Sequence, residues 1–297
     1  MPALDILAPA KINLYLNVLG RRDNGYHELD SLVTFIDVGD RVRIEPAARF
    51  GFSVHGPYVA YFSSAERDEG RQSRNLAVRA ARAMALAAGR DPAIHLTLTK
   101  NLPLAAGIGG GSADAAAVIW GLMELWGLKP EALPWLGDLA VGLGADVPVC
   151  LACRPRRMRG IGERLDDAPS LPETPSLLVN PGVACPTADV FRRFAALYSR
   201  EAVWPDNLDG GGLDALLAAN GNDLTQAAVA VAPEIAFVLE DLKALPGCHL
   251  ARMSGSGATC FALFENAGQA VEAEAVLSRR HPEWWVRSGT LNRPARY

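Results

Sequence analysis

Apolar and polar residues alternate along the first stretch of the chain. Ile12, Leu14, Leu16 and Val18 fall on one side, Lys11, Asn13, Tyr15 and Asn17 on the other. A period of two is that of a half-buried strand, so residues 4–19 are predicted to be one, interrupted early by Pro9. Its polar face, with a Lys and two Asn, is either a solvated edge or the floor of a cleft. A glycine-bounded turn at 20–25 leads through Tyr26-His27-Glu28 into a second apolar stretch with Leu32, Val33, Phe35, Ile36 and Val38. Residues 41–44 and 50–54 are strand-like, and the polar span 63–73 reads as a surface loop. Asn75 is placed to cap a helix over 76–88, with Gly89 beyond its end. Residues 94–99 alternate again as a strand.

The period then changes. Ala115, Val118, Ile119, Leu122 and Trp126 recur at helical spacing, with Ser112 expected as the N-cap. A further helix is predicted over 134–143, stopped by Gly144, and the apolar run 147–152 reads as a buried strand. Residues 154–164 carry five arginines and read as a solvated basic strand. The Pro-rich segment 168–175 follows, and this change of composition sets the expected domains as 1–158 and 159–297. In the second half a short strand is predicted at 177–179 and helices at 187–198, 222–230, 233–245 and 269–279. The span 208–213 is a Gly-rich loop with helix-like sequence after it. A second glycine turn, 252–261, runs into a strand at 259–264.

Composition narrows the functional classes. The chain has 297 residues with 49% hydrophobic content and a net charge of −4. That suits two ordinary globular domains and supplies no overall basic field for nucleic acid. The first twenty residues show no basic segment ahead of an apolar core, and no run reaches the length that spans a bilayer. A cytoplasmic protein with neither a membrane nor a nucleic-acid partner is therefore expected. Cys150 and Cys153 form a C-x-x-C with no second pair, and they read as part of the buried strand.

Chemistry concentrates in the segment leading into the 113–126 helix. Gly107, Gly109, Gly110 and Gly111 can turn successive backbone N–H groups into one concavity, and a helix N-terminus stands directly behind them. Such a nest binds an anion, and phosphate is the expected guest. The spacing is neither that of a Walker loop nor that of a dinucleotide fingerprint. Asp114 would repel a phosphate and is expected to face away. Asp146, in Gly144-Ala-Asp-Val-Pro148, is either a general base or a turn former. Tyr26 and His27 either contact a planar ligand or, for Tyr26, anchor a loop.

Three motifs in order, Pro9-Ala-Lys-Ile-Asn13, 103–117 and Met253-Ser-Gly-Ser-Gly-Ala258, resemble the signatures of the galactokinase, homoserine kinase, mevalonate kinase and phosphomevalonate kinase (GHMP) superfamily. Gly25-Tyr-His27, the segment 75–82 and Gly144-Ala-Asp-Val-Pro148 resemble its branch that phosphorylates 4-diphosphocytidyl-2-C-methyl-D-erythritol in non-mevalonate isoprenoid synthesis. The resemblance implies a two-domain α+β fold, with an N-terminal domain like the second domain of ribosomal protein S5 and a ferredoxin-like C-terminal domain. It implies transfer of the ATP γ-phosphoryl to a tertiary 2-hydroxyl, with Lys11 and Asp146 as the catalytic pair. ATP contacts are implied at Asn75, Lys100, Pro103, Leu104, Ala105, Ala106, Gly107, Ile108, Gly109, Gly110, Gly111, Ser112 and Ala113. The cytidine diphosphate sugar alcohol would meet Asn13, Tyr26, His27, Thr187 and Phe191. Mg²⁺ is implied with ATP, held by its phosphates and Ser112, with no acidic ligand assigned. A sibling kinase for mevalonate or homoserine, and a non-catalytic sensor on the same fold, are the alternatives.

Overall fold

The computed structural model describes residues 3–70, 72–209 and 211–293. The long alternating stretch is β1 (Leu4–Arg21), which turns into β2 (His27–Pro46) and pairs antiparallel with it almost end to end. Next come β3 (Gly51–His55), α1 (Ser64–Arg67), α2 (Leu76–Ala87), β4 (Ile94–Thr99) and α3 (Gly110–Trp126). They are followed by α4 (Leu136–Leu143), α5 (Val147–Ala152), β5 (Arg156–Gly160) and β6 (Arg164–Asp167). The second half holds β7 (Thr174–Asn180), α6 (Thr187–Arg193), α7 (Gly212–Ala219), α8 (Thr225–Val231) and α9 (Glu234–Lys243). It closes with β8 (Cys248–Met253), β9 (Cys260–Phe264), α10 (Ala267–Arg280) and β10 (Trp285–Leu291).

β2 organises the sheet. On the edge away from β1 it meets β5 along Leu29 to Val33, β10 at Ile36 and β4 along Arg41 to Pro46. α2 and α3 cover this N-terminal sheet, packing their alanines against Ile44, Leu96 and Leu98. α3 lies close to it: a methyl group on Gly121 would meet Ile44 at 2.4 Å and Ile6 at 2.6 Å, so the glycine is a packing requirement despite its helical cost. In the second half the strand order is β10, β7, β9, β8, each antiparallel to its neighbour. With helices between β7 and β8 and between β9 and β10, this is the ferredoxin-like arrangement. Its core joins Val179, Cys260 and Phe264 to Ile235, Val238 and Leu277 from α9 and α10.

Four expectations are corrected. The face of β1 is not continuous, because the register slips between Asn13 and Tyr15. Ile12, Leu14 and Tyr15 pack into one apolar cluster while Leu16 and Val18 join another. Residues 147–152 form helix α5, not a strand: a six-residue apolar run cannot distinguish the two, and Pro148 sits in the first turn, where no N–H is required. α3 begins at Gly110 with Gly109 as its N-cap, so Ser112 lies inside the first turn. α6 stops at Arg193, well short of residue 198.

The basic segment has structural partners. Arg157 donates twice to the fully buried Asp30, at 2.8 Å each, Arg159 meets Asp166 at 2.7 Å, and Arg154 meets Asp167 at 3.1 Å. The boundary expected at 158/159 falls inside β5, which is laddered to β2 along its length. Among the described residues no helix is long and apolar enough to cross a membrane.

Candidate active site

Three separate stretches of chain meet at one place. The backbone N–H of Lys11 donates to the Ile108 carbonyl at 2.9 Å, stitching β1 to the glycine loop. From the other half, the Ser254 hydroxyl accepts the Asn13 N–H at 3.1 Å and donates to the Gly107 carbonyl at 3.3 Å. Thr259 N–H donates to the Ala106 carbonyl at 3.2 Å. The backbones approach too closely for side chains. A methyl group on Gly107 would lie 2.7 Å from both the Gly257 and Ser254 carbonyl oxygens, and Gly107 has φ +74°. Asn222 Nδ2 secures the same turn, donating to the Met253 and Gly255 carbonyls at 2.8 Å.

Beside this junction is a cleft of about 590 Å³. Its floor is Lys11, Asn13 and Leu16, so the polar side of β1 before the register slip faces a cavity rather than an outer edge. Pro103, Leu104, Ala105, Ala106, Gly107, Gly109, Gly110, Gly111 and Ser112 line one end, with Ile108 and Ala113 buried beneath them. Asn75 also lines it; its side chain caps α2 by accepting the Ala77 N–H at 2.9 Å. Thr187 and Phe191 line the other end, and Thr187 Oγ1 is 2.8 Å from Ser256 Oγ.

Asp146, at the N-terminus of α5, lines the same cleft, with Oδ2 3.3 Å from Lys11 Nζ. Lys11 also donates to Asn13 Oδ1 at 2.9 Å. The Lys11 side chain is 6% exposed and that of Asp146 34%, so the carboxylate reaches the cleft over a sheltered ammonium.

Lys100 and Asp114 also line the cleft, so Asp114 does not face away as expected, but the Lys100 ammonium is committed to carboxylates. It is 2.7 Å from Asp114 Oδ2 and hydrogen-bonded to Asp40, all three side chains being buried. Burial works against its charge, yet the two carboxylates outweigh burial and hold its pKa above the ordinary lysine value. Burial pushes the Asp114 carboxyl well above the usual carboxylate range, against the pull of Lys100. Asp40 Oδ1 also accepts the N–H groups of Asn101 and Leu102, at 2.6 and 2.8 Å. The cluster thus fixes the exit of β4 into the glycine loop and ties it to the second turn of α3.

His27 stacks on Phe191 with ring centres 4.9 Å apart and meets Phe194 edge-on at 5.9 Å. Burial, and secondarily Arg21, push its imidazole below the ordinary value, so it is neutral near pH 7. Tyr26, which is 62% exposed, and His27 both lie outside the residues lining the cleft, and His27 borders it through Phe191. Cys150 is buried in α5, where burial pushes its thiol well above the ordinary range and leaves it unreactive.

The geometry sets a glycine loop at a helix N-terminus and a carboxylate–ammonium pair on one cleft. Residues 75–154 match the GHMP kinases N terminal domain and residues 206–283 the GHMP kinases C terminal domain. The 4-diphosphocytidyl-2-C-methyl-D-erythritol kinase of Paramagnetospirillum magneticum is 45% identical over 98% of this chain and 99% of its own. That of Cereibacter sphaeroides is 49% identical over 95% of this chain and 97% of its own. This chain belongs to the 4-diphosphocytidyl-2-C-methyl-D-erythritol kinase family. A crystal structure of a 4-(cytidine 5'-diphospho)-2C-methyl-D-erythritol kinase matches it with a TM-score of 0.78 at 35% identity, covering 98% of this chain and all of the other.

Within this kinase, the residues that sequence reasoning left without a role are Ser254, Gly255 and Ser256, together with Phe62, Glu66 and Arg74. Gly255, Ser256, Phe62, Glu66 and Arg74 line the cleft, the last three from or beside the span read as a plain surface loop. The Gly-Ser-Gly turn carried a signal for the first group. The second had none, since Glu66 is positioned by a capping box with Ser63 that looks like any other short helix start.

Proposed function

We propose that this kinase transfers the γ-phosphoryl of ATP directly to the 2-hydroxyl of 4-diphosphocytidyl-2-C-methyl-D-erythritol, as a cytoplasmic step between two water-soluble reactants. The observation that carries the reading is the Lys11–Asp146 pair, 3.3 Å apart, lining the same cleft as the glycine loop, Thr187 and Phe191. A side chain that takes up a proton in the transition state must lie within reach of the attacking hydroxyl, and Asp146 lines the cleft. Asp146 accepts the hydroxyl proton as the oxygen attacks phosphorus. Lys11 orients that carboxylate and offsets charge on the oxygens around the reacting phosphorus.

The loop N–H groups and the N-terminus of α3 hold the triphosphate, as helix N-termini hold anions. Asn75 meets the nucleotide, and Lys100 acts from below by fixing the loop with Asp40 and Asp114. Asn13 and Thr187 orient the alcohol half of the acceptor. Phe191, Tyr26 and neutral His27 form an aromatic and hydrogen-bonding seat for the cytosine. Magnesium accompanies the nucleotide in this reading. Among the described residues no group of three His, Cys, Asp or Glu is arranged to hold a metal ion. The side-chain oxygens that line the cleft from α3 are those of Ser112 and Asp114, and Asp114 Oδ1 is buried and without a hydrogen-bond partner. That donor set fits a hard cation carried chiefly by phosphates and water. When bound, it neutralises phosphate charge.

Phosphorus NMR of the product tests the assignment of the acceptor oxygen. A new phosphomonoester resonance with both diphosphate resonances intact is expected. Extension of the diphosphate, with no monoester formed, contradicts it.

A further inference from the structure

Asn13 can accept from Lys11 only with its amide turned one way, and oxygen and nitrogen of an amide are nearly alike in shape. The orientation is decided further along a buried chain of hydrogen bonds. The Tyr15 carbonyl can only accept, so the Ser31 hydroxyl, 2.5 Å away, must donate to it. A hydroxyl has one hydrogen, so toward Asn13, at 2.8 Å, Ser31 can only accept. Asn13 Nδ2 therefore faces Ser31, and Oδ1 is left facing Lys11 at 2.9 Å. Ser31 is 0% exposed and Asn13 1%, which keeps competing water from reassigning the bonds.

Lys11 is a donor-only group and needs oxygen on every side it touches. A reversed amide would set N–H groups against its ammonium and drive it from Asp146. Ser31 itself does not line the cleft, whereas Asn13, Lys11 and Asp146 do.

We infer that Ser31 is a positioning residue for phosphoryl transfer: through Asn13 it sets the polarity of the hydrogen-bond chain that aims Lys11 at Asp146. The inference rests on reading Lys11 and Asp146 as the catalytic pair. It assigns Ser31 no contact with either substrate, so its effect falls on turnover and not on nucleotide affinity.

The test measures kcat and direct ATP affinity for Ser31→Ala, Ser31→Cys, Asn13→Ala, the Ser31→Ala/Asn13→Ala double variant and Asp146→Asn. Ser31→Ala is expected to lower kcat about tenfold, with ATP affinity within about twofold of the parent. Ser31→Cys conserves volume and offers only weak hydrogen bonding, so it folds and loses part of that factor. In the Asn13→Ala background the Ser31 change should alter kcat by less than about twofold, because its effect passes through Asn13. Unchanged kcat in both Ser31 variants, a loss that persists without Asn13, or ATP affinity falling as far as kcat would each overturn the inference. If Asp146→Asn is inactive while the Ser31 variants are unaffected, only this inference fails. Full activity in Asp146→Asn overturns the catalytic-pair reading and the inference together.

Discussion

The side chains at the centre of the cleft are defined by which of their hydrogen-bonding groups are already committed. Lys11 donates to Asn13 and forms an ion pair with Asp146 from a sheltered position, and Asp146 presents its carboxylate to the cleft. Replacing Asp146 with Asn keeps the shape and removes the proton acceptor. It should lower kcat by about 10²–10⁴ and leave ATP affinity near the parent value, read by steady-state kinetics and direct titration. Unchanged turnover would remove Asp146 from the chemistry. That Lys11 and Asp146 share one cleft was legible only through the resemblance of their two short motifs, since the residues alone left Asp146 open between a base and a turn former. Ser254 and Ser31 were not legible. Ser254 meets Asn13 across 241 positions of chain, and Ser31 matters only once the register slip after Asn13 is known. The arginines of 154–164 are a similar case: a basic run looks solvated until its Asp partners on β2 and β6 are found.

Among the elements, the glycine loop is held from both sides. Asp40 and Lys100 fix its entry from β4, and the turn between β8 and β9 packs directly on its backbone. Gly107 is where this packing is tightest. An alanine there would have to hold φ +74° and find room among two carbonyl oxygens 2.7 Å away. The left-handed conformation alone costs about 1–2 kcal/mol, so Gly107→Ala should weaken ATP binding by about tenfold or more in a calorimetric titration. Binding at the parent affinity would show that the loop does not need this contact. The glycines announced the loop in the sequence, but the contact that constrains Gly107 comes from a turn that by itself looked like an ordinary hairpin. Periodicity placed the long elements α2, α3, β1 and β4 correctly. It failed for α5, where a short apolar run carries no period, and for β8 and β10, whose ragged burial left no alternation to read.

At the scale of the molecule, the two halves share one sheet through β2 and β10 and one cleft through the three motifs. Asp30 adds a buried tie, accepting from Tyr15, from both donors of Arg157 and from the Ala202 N–H at 2.7 Å. That tie fastens the segment after α6 to the N-terminal sheet. Family and fold were readable because the three motifs span nearly the whole chain, so their joint presence specifies one way of folding it. Composition changes near residue 158, while strand pairing with β2 continues through β5. The most direct test of the account is coupled ADP release by the purified protein with Mg²⁺-ATP, using 4-diphosphocytidyl-2-C-methyl-D-erythritol beside mevalonate and homoserine. Turnover with the cytidine compound alone is the predicted result. Turnover with mevalonate or homoserine in its place, or with none of the three, would contradict it.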